Sequence, residues 1–419
     1  MAGNAVTASD IVFSYEMAIE SGNLHDIDNI KEVIAIDDYT VQINLDHELY
    51  IGDLEGLAGA VFIVSQASYE ASEDSMVTTP VGTGPYVLDY WMADSLTTFV
   101  ARDDYWAEPD QILAPEMASS IETINFQVIS ESSQLTIALE TGSIDYADSI
   151  TTEDLALFQE GGEYEDLYHV DILASGITYY LVLNCDEASA CSNLALREAI
   201  YYAVNAQAIV DSVAGGMGIT THDGSNSSLS DYNPDWNEED NYYNYNLDTA
   251  KEKLAEAGYS EGELSLTLLC GSSDMFTNMA TLIQAFMIQL GIDVTIDALD
   301  TSILDETMSD PSAWDMDLIS AGSEDYVVNN WVKLMDPSNW SWGLTVNFID
   351  DDYLFELLDT VRSVDGYSAE NLDLFHEYTT ENAYMMGLYN GYSCAVISND
   401  YTVYYNSQNQ PIFQATTIN

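Results

Sequence analysis

Basic residues are nearly absent from this sequence. Lys and Arg together number 7, against 72 Asp and Glu in 419 residues, for a formal net charge of -65. Nucleic acid is thereby excluded as a partner, because its capture depends on cations that neutralise phosphates. Anionic lipid head groups are repelled for the same reason. Cysteine is scarce too: Cys185, Cys191, Cys270 and Cys394 are the only four, and none forms a C-x-x-C pair. Cys185 and Cys191 could bridge a short loop and Cys270 could meet Cys394, or all four could be buried thiols. No stretch approaches the roughly 18–20 apolar residues of a membrane-spanning helix. The opening residues, MAGNAVTASD, lack a basic segment followed by an apolar one, so no signal peptide is expected within them. No internal repeat or low-complexity tract is visible.

Catalytic and cofactor motifs are missing as well. His47-Glu48 and His376-Glu377 begin like H-E-x-x-H, but Ile51 and Thr380 stand where the second imidazole is needed. Gly82-Thr83-Gly84 is followed by Val87 where a dinucleotide fingerprint wants glycine. No phosphate-cradling G-x-x-x-x-G-K-[ST] loop and no G-x-S-x-G elbow occurs. Asp231, Asn233, Asp235 and Asn237 resemble a calcium loop, yet Trp236 and Tyr242 occupy the positions that require Gly and Glu. With 72 carboxylates chance clusters are expected, and Asp350-Asp351-Asp352 reads as an anionic helix start. No enzyme, no metal and no cofactor is expected. The acidity fits either a secreted protein kept soluble in a salty medium or a general acidic bias. The plentiful Ile, Leu, Met and 29 Tyr favour the second.

What is present is α/β patterning over 47% hydrophobic residues. Thr7 with Asp10 opens a helix over 7–20, and 31–36 with 39–45 reads as a β-hairpin. A second hairpin is expected over 86–91 and 96–101, then a strand over 122–129 and helices over 132–140 and 151–158. The unbroken run Ile177–Leu183 predicts a strand covered on both faces. One long helix is expected from Ser192 to Val213, and a polar loop over 223–245. Asp248 is expected to cap a helix ending at Gly258. Leu264, Leu266 and Leu268, then a helical stripe, then Ile292, Val294 and Ile296 predict a βαβ unit with both strands in one sheet. Helices over 353–364 and 370–384 and strands over 392–397 and 401–405 close the chain.

Aromatic residues are the positive signal for binding. They concentrate at Tyr179-Tyr180, Trp236–Tyr245 and Trp331–Trp342. Such rings give a cleft large, rigid contact area, and they equally fill cores.

Four segments resemble the bacterial extracellular solute-binding proteins of family 5, the peptide-binding subunits of ABC importers. They are TASDIVFSYEMAIE (Thr7–Glu20), PVGTGPYVLDYW (Pro80–Trp91) with ARDDYW (Ala101–Trp106), LNCDEASACSNLALREAIYYAVNAQAIV (Leu183–Val210) and LDTAKEKLAEAGY (Leu247–Tyr259). The resemblance implies a two-lobed α/β fold of the type II periplasmic-binding-protein class, with mixed sheets, flanking helices and ligand between the lobes. Residues 1–79 would be a remnant of an N-terminal subdomain, 80–182 lobe I, 183–390 lobe II, and 391–419 a return to lobe I. It further implies a monomer outside the cytoplasmic membrane, in the periplasm or lipid-anchored, that hands a short peptide to membrane permease subunits. A metal chelate or oligosaccharide is the alternative solute; a secreted hydrolase or surface structural protein is the alternative class. The expected ligand contacts are Tyr179, Tyr180, Asn184, Glu324, Asp325, Tyr326, Trp331 and Trp340, with Asp325 or Glu324 pairing the peptide's ammonium. The sequence departs from the family in three places. Its first lobe-I strands have no counterpart here. The D-Y-x-D-P motif is split between Ser323–Tyr326 and Asp336-Pro337. Ala206 and Gln207 replace a common acidic residue and Arg.

Overall fold

The computed structural model describes residues 5–22, 24, 27, 29–148, 150–221, 225–229, 231–237, 243–260, 262–322, 326–337, 347–406 and 409–419. The chain forms two compact units. The first comprises Met1–Leu49, Asp53–Leu173 and Cys394–Asn419; the second comprises Tyr50–Gly52 and Ala174–Ser393. These divisions fall at 173/174 and 393/394, where the sequence reading placed them at 182/183 and 390/391.

The first unit begins with α1 (Ala8–Ser21). Asp10 reaches back to its start, accepting from the Thr7 amide at 2.9 Å and the Thr7 hydroxyl at 3.0 Å. The hairpin β1 (Ile30–Asp37) and β2 (Thr40–Leu45) turns at Asp38-Tyr39, since Asp37 pairs with Thr40. Two short helices, α2 (Asp53–Gly59) and α3 (Gln66–Ala71), were not expected from the sequence. Tyr15, Ile27, Ile30, Leu57 and Val61 form the core of this region.

Strands β3 (Tyr86–Met92), β4 (Leu96–Ala101) and β5 (Thr123–Gln127) make an antiparallel three-stranded sheet in that order. The glycine-rich stretch before β3 is pinned by side chains. Arg102 donates to the carbonyls of Gly82 at 2.9 Å and Gly84 at 3.3 Å, and the Trp106 indole donates to Thr83 at 3.0 Å. Helix α4 (Ser132–Glu140), strand β6 (Tyr146–Ala147) and the single turn α5 (Thr152–Leu155) follow. They enclose Leu139, Ala147, Leu155, Phe158 and Tyr168.

The strand β7 (Tyr168–Leu183) is 16 residues long, so it starts well before the expected 177–183. Its last residues belong to the second unit because Ile177–Leu183 pairs antiparallel with a later strand, Gly322–Met316. Helices α6 (Leu194–Ala203) and α7 (Ala206–Ser212) replace the single helix expected over 192–213. The break is at Asn205, whose side chain caps α7 by accepting from the Ala208 amide at 3.0 Å. Asn offers the backbone this local alternative to continuing a helix. The start of α6 is likewise capped by Asn193, not Ser192.

Strand β8 (Gly218–Thr220) precedes α8 (Leu247–Glu256), which is capped by Asn246 where Asp248 was expected. The βαβ unit is β9 (Ser265–Gly271), α9 (Asp274–Leu290) and β10 (Asp293–Leu299). Its strands pair in parallel, Leu266 with Val294 and Leu268 with Ile296, as the alternation predicts. Gly291 ends α9 at φ 83°, a left-handed conformation that glycine adopts without a Cβ penalty. Then come α10 (Thr301–Met308), β11 (Met316–Gly322), α11 (Val327–Met335), α12 (Asp352–Arg362) and α13 (Ala369–Glu381). Strand β12 (Met386–Ser398) pairs with β8 through Tyr389–Gly391 and with β6 through Val396-Ile397. A small ladder of β13 (Tyr401–Thr402) with β14 (Thr417–Ile418) ends the chain.

In the second unit the strand order is β10-β9-β11-β7-β12, mixed in direction, with β8 on β12. Alternate residues of β7 enter two separate cores. Leu181 and Leu183 join α6, α8 and α9 on one face. Tyr180 and Val182 join α11, α12 and α13 on the other. This is the doubly covered strand that the apolar run predicts. All four cysteines are free thiols. Among the described residues no helix is long and apolar enough to cross a membrane.

Candidate functional site

The expected ligand contacts separate into three groups. Glu324, Asp325 and Trp340 lie outside the described residues. Tyr180, Asn184 and Trp331 are buried in the second unit and committed to its interior. Tyr180 belongs to the core beneath α11 and α12. Trp331 stacks on Phe375 with ring centroids 4.6 Å apart. Asn184 donates to the carbonyls of Pro311 and Trp314, both at 2.8 Å, and its own oxygen accepts from the Asp186 amide at 3.0 Å. Its carboxamide thus ties the end of β7 to the approach to β11. Tyr180 and Trp331 are interior because they fill an apolar core of the second unit, and Asn184 because its carboxamide is taken up by backbone groups.

Tyr179 and Tyr326 are half-buried and retain reach toward solvent. Tyr179 points to the opposite side of β7 from Tyr180. It stacks on Tyr389 of β12 at 4.5 Å and 17°, and leans on Phe276 of α9 at 6.1 Å. Burial, above all, raises the pKa of both tyrosines, so the hydroxyls are neutral hydrogen-bonding groups at physiological pH. Exposed Ile177 and Met275 border the stack.

A buried polar network lies on the opposite face of the same two strands, because Thr178 and Asn390 alternate with Tyr179 and Tyr389. Asn390 donates to the Thr178 hydroxyl at 2.7 Å and accepts from the Ser227 amide at 3.1 Å and hydroxyl at 2.9 Å. Asn226 donates to the Ser175 carbonyl at 3.3 Å and accepts from the Ser228 amide and hydroxyl at 2.9 and 2.6 Å. Gly391 lets β12 approach β7: a Cβ there would sit 3.0 Å from the Ser175 hydroxyl. At Gly218 a Cβ would come within 2.8 Å of the Tyr389 ring. The half-buried rings of Tyr179 and Phe276 offer apolar contact area to a ligand.

Tyr326 sits at the start of α11. Its ring meets that of Tyr367 edge-on at 5.8 Å. Asp231 holds this corner, accepting from the Val327 amide at 3.1 Å and from the Tyr367 hydroxyl at 2.6 Å. The residue that looked like the first calcium ligand is therefore a brace for a helix end. Trp236 is equally structural. It is buried, stacks on His376 at 4.9 Å, and donates to Asp373 at 2.7 Å. Burial holds His376 down, to about 4, slightly opposed by Asp373, so the imidazole is neutral. Among the described residues no group of three or more His, Cys, Asp or Glu is placed to hold a metal ion.

Phe276, Tyr389, Asn390 and Ser227 were not singled out from the sequence. All four lie far from β7 along the chain, and only folding brings Phe276 and Tyr389 to one of its faces and Asn390 and Ser227 to the other. The nearest signal in the sequence is Asn390-Gly391, a polar residue and a glycine inside an otherwise apolar strand.

Residues 2–347 match the family described as Bacterial extracellular solute-binding proteins, family 5 Middle. The chain belongs to this family. Among its relatives, heme-binding protein A of Haemophilus influenzae is 25% identical over 279 residues, covering 61% of this chain and 47% of that protein. Oligopeptide-binding protein AppA of Bacillus subtilis is 22% identical over 417 residues, covering 91% of this chain and 72% of that protein. The match thus spans about half the length of the first relative. Among solved structures, HbpA2 from Haemophilus parasuis superposes with a TM-score of 0.84 at 19% identity, covering 100% of this chain and 84% of that one. The fold is that of the type II periplasmic binding proteins.

Proposed function

We propose that this family 5 protein captures short peptides outside the cytoplasmic membrane and delivers them to the permease subunits of an ABC importer. The observation that carries the reading is the family match over residues 2–347. The Bacillus subtilis relative, aligned over 91% of the chain, is an oligopeptide-binding protein by name, which favours a peptide over other solutes. The chemistry of the Tyr179 cluster agrees with it. A peptide offers apolar side chains to the half-buried rings of Tyr179 and Phe276. Asp325, with Glu324, is the proposed partner for the peptide's ammonium. The large negative charge draws cations and zwitterions and disfavours polyanions.

A heme-type solute is the second reading, because heme-binding protein A is also a relative. A thermal-shift screen separates the two. Peptides of varied sequence should raise the melting temperature by mass action, by about 2.7 kcal/mol of added stability at a hundredfold excess over Kd. A shift with heme and none with any peptide would overturn the peptide assignment while leaving solute capture intact.

A further inference from the structure

Strand β11 ends on a glycine that neither its backbone nor its neighbours require. Gly322 pairs with Ile177 of β7 in the antiparallel ladder. It is not among the residues with positive φ, so other residue types could hold its conformation. Among the described residues nothing lies within 4 Å of where its Cβ would stand. Glycine in a strand forfeits side-chain packing and costs backbone entropy. Where it occurs, it marks a bulge, a close approach of another backbone, or a ligand. The register from Met316 to Gly322 is unbroken, which removes the bulge. The open surroundings remove the second backbone, and a ligand is left.

The open space lies on a definite face of the sheet. Residues opposite one another in a ladder point to the same side, and so do residues two apart along a strand. Gly322 thus shares the face of Ile177, Tyr179 and Ser320. On β12 that face carries Tyr389 and Gly391. A Cβ at Gly391 would stand 3.7 Å from Cε2 of the Tyr179 ring. Two glycines therefore flank β7 where side chains would otherwise cover it.

What they leave uncovered is apolar. Ile177 and Met275 are exposed, and Tyr179 and Phe276 are half-buried. The floor is firm, because Tyr179 stacks at 4.5 Å on Tyr389, which is itself buried. All of these residues belong to the second unit.

We propose that Gly322 is a specificity-determining position of the solute site. Its missing side chain opens a bay over Ile177 and Tyr179 that takes one bulky apolar side chain of the solute, an aromatic ring above all. This rests on the reading of the protein as one that captures peptides. A ring gains most there, because Tyr179 and Phe276 offer edge and offset-stacked contacts and Met275 offers a sulfur. Ile177, Tyr179, Met275 and Phe276 are uncharged, so a charged solute side chain would lose hydration against them without gaining a partner.

Calorimetric titration of the full chain with trialanine and with the three tripeptides that carry one phenylalanine tests the proposal. One of the three should bind about tenfold or more tighter than trialanine, the effect of burying most of a ring. In Gly322→Leu, whose side chain fills the bay, that advantage should fall to about twofold or less, with trialanine affected less than about twofold. The melting temperature of Gly322→Leu without solute should not fall, because the added side chain meets open space and the strand loses a glycine. Gly322→Val fills the bay in part and should at least halve the advantage. Equal binding of all four tripeptides by the parent chain, or an undiminished advantage in Gly322→Leu, would make Gly322 an ordinary strand end and overturn the proposal while peptide capture stands. A melting temperature several degrees lower in both variants would show that the space is not open, and overturns it too. Binding of none of the four peptides removes the peptide reading and this proposal with it.

Discussion

Replacing Asp317 with Asn should change how stability depends on pH, and the size of the change can be worked from the structure. Asp317 lies in β11, in the middle of the second unit's sheet, between Val182 of β7 and Leu269 of β9. It is completely buried, and among the described residues nothing but the neighbouring Leu318 amide offers its carboxylate a hydrogen bond. Burial pushes its pKa up from 3.8 to about 8, opposed only weakly by the Leu318 amide. The folded chain therefore keeps this proton over a window, about pH 4 to 8, in which the unfolded chain has lost it. More protons bound in the folded state means that stability falls as pH rises, by about 1.4 kcal/mol per unit across the window. The contribution is fully present below about pH 4 and gone above about pH 8. In total this group removes about 3–6 kcal/mol of stability between those limits, the lower figure allowing for relaxation of the interior. Asn has nearly the same shape and no charge, so Asp317→Asn should lack this slope. Urea unfolding of both proteins at several pH values measures it. The stability difference, mutant minus parent, should grow by several kcal/mol from pH 4.5 to pH 9, on the order of the figure above. A difference constant to within about 1 kcal/mol would show that Asp317 is hydrated or partnered in solution, and would refute the reasoning.

Other consequences concern single side chains and the net charge. Arg197 is buried and donates to four carbonyls, of Cys191, Ser192, Asn382 and Ala383, at 2.7–3.2 Å. Arg197→Met should cost about 3–5 kcal/mol in urea unfolding, because it strands those acceptors. Asp351 caps α12 through the Tyr353 and Leu354 amides and also accepts from the Tyr378 and Tyr384 hydroxyls, both at 2.7 Å. Asp351→Ala should cost about 2–4 kcal/mol near neutral pH. Although burial opposes it, these bonds hold the Asp351 carboxyl below 3.8. The mutant's deficit should therefore shrink as pH falls through the acid range. Tyr179→Ala should weaken solute binding by about 1–2 kcal/mol in calorimetric titration and, because it removes the stack on Tyr389, should also lower the melting temperature. With a net charge of -65, the melting temperature should rise as salt increases from about 0.01 M to about 0.15 M, over which the screening length falls from about 30 Å to about 8 Å.

Elements with strong local periodicity are legible in the amino-acid sequence alone. The β9-α9-β10 unit, the hairpins and the helix starting at Thr7 owe their form to alternation and caps written within a few residues. The single helix read over 192–213 is really two, because Asn205 competes for the Ala208 amide and periodicity alone cannot weigh that contest. β11 is hard to read from sequence because the buried Asp317 interrupts its apolar run, and α11 shows its helical spacing over only nine residues. The site is harder still. Aromatic enrichment draws attention to Tyr180, Trp236 and Trp331, which fill cores, as readily as to Tyr179, which does not. Nothing in the local sequence separates the two fates. The partners that give Tyr179 its setting, Phe276 and Tyr389, are supplied by β7, α9 and β12 meeting across long chain separations.

Isothermal titration of the full chain with a pool of random-sequence tripeptides tests the central claim most directly. Saturable binding at one peptide per chain is expected, with the negative heat-capacity change of apolar burial. Acetylating the peptides' amino termini should weaken it about tens-fold or more if Asp325 or Glu324 receives the ammonium in a desolvated site. No saturable heat with this pool or with di- to nonapeptide pools, in a chain that titrates with heme, would contradict peptide capture.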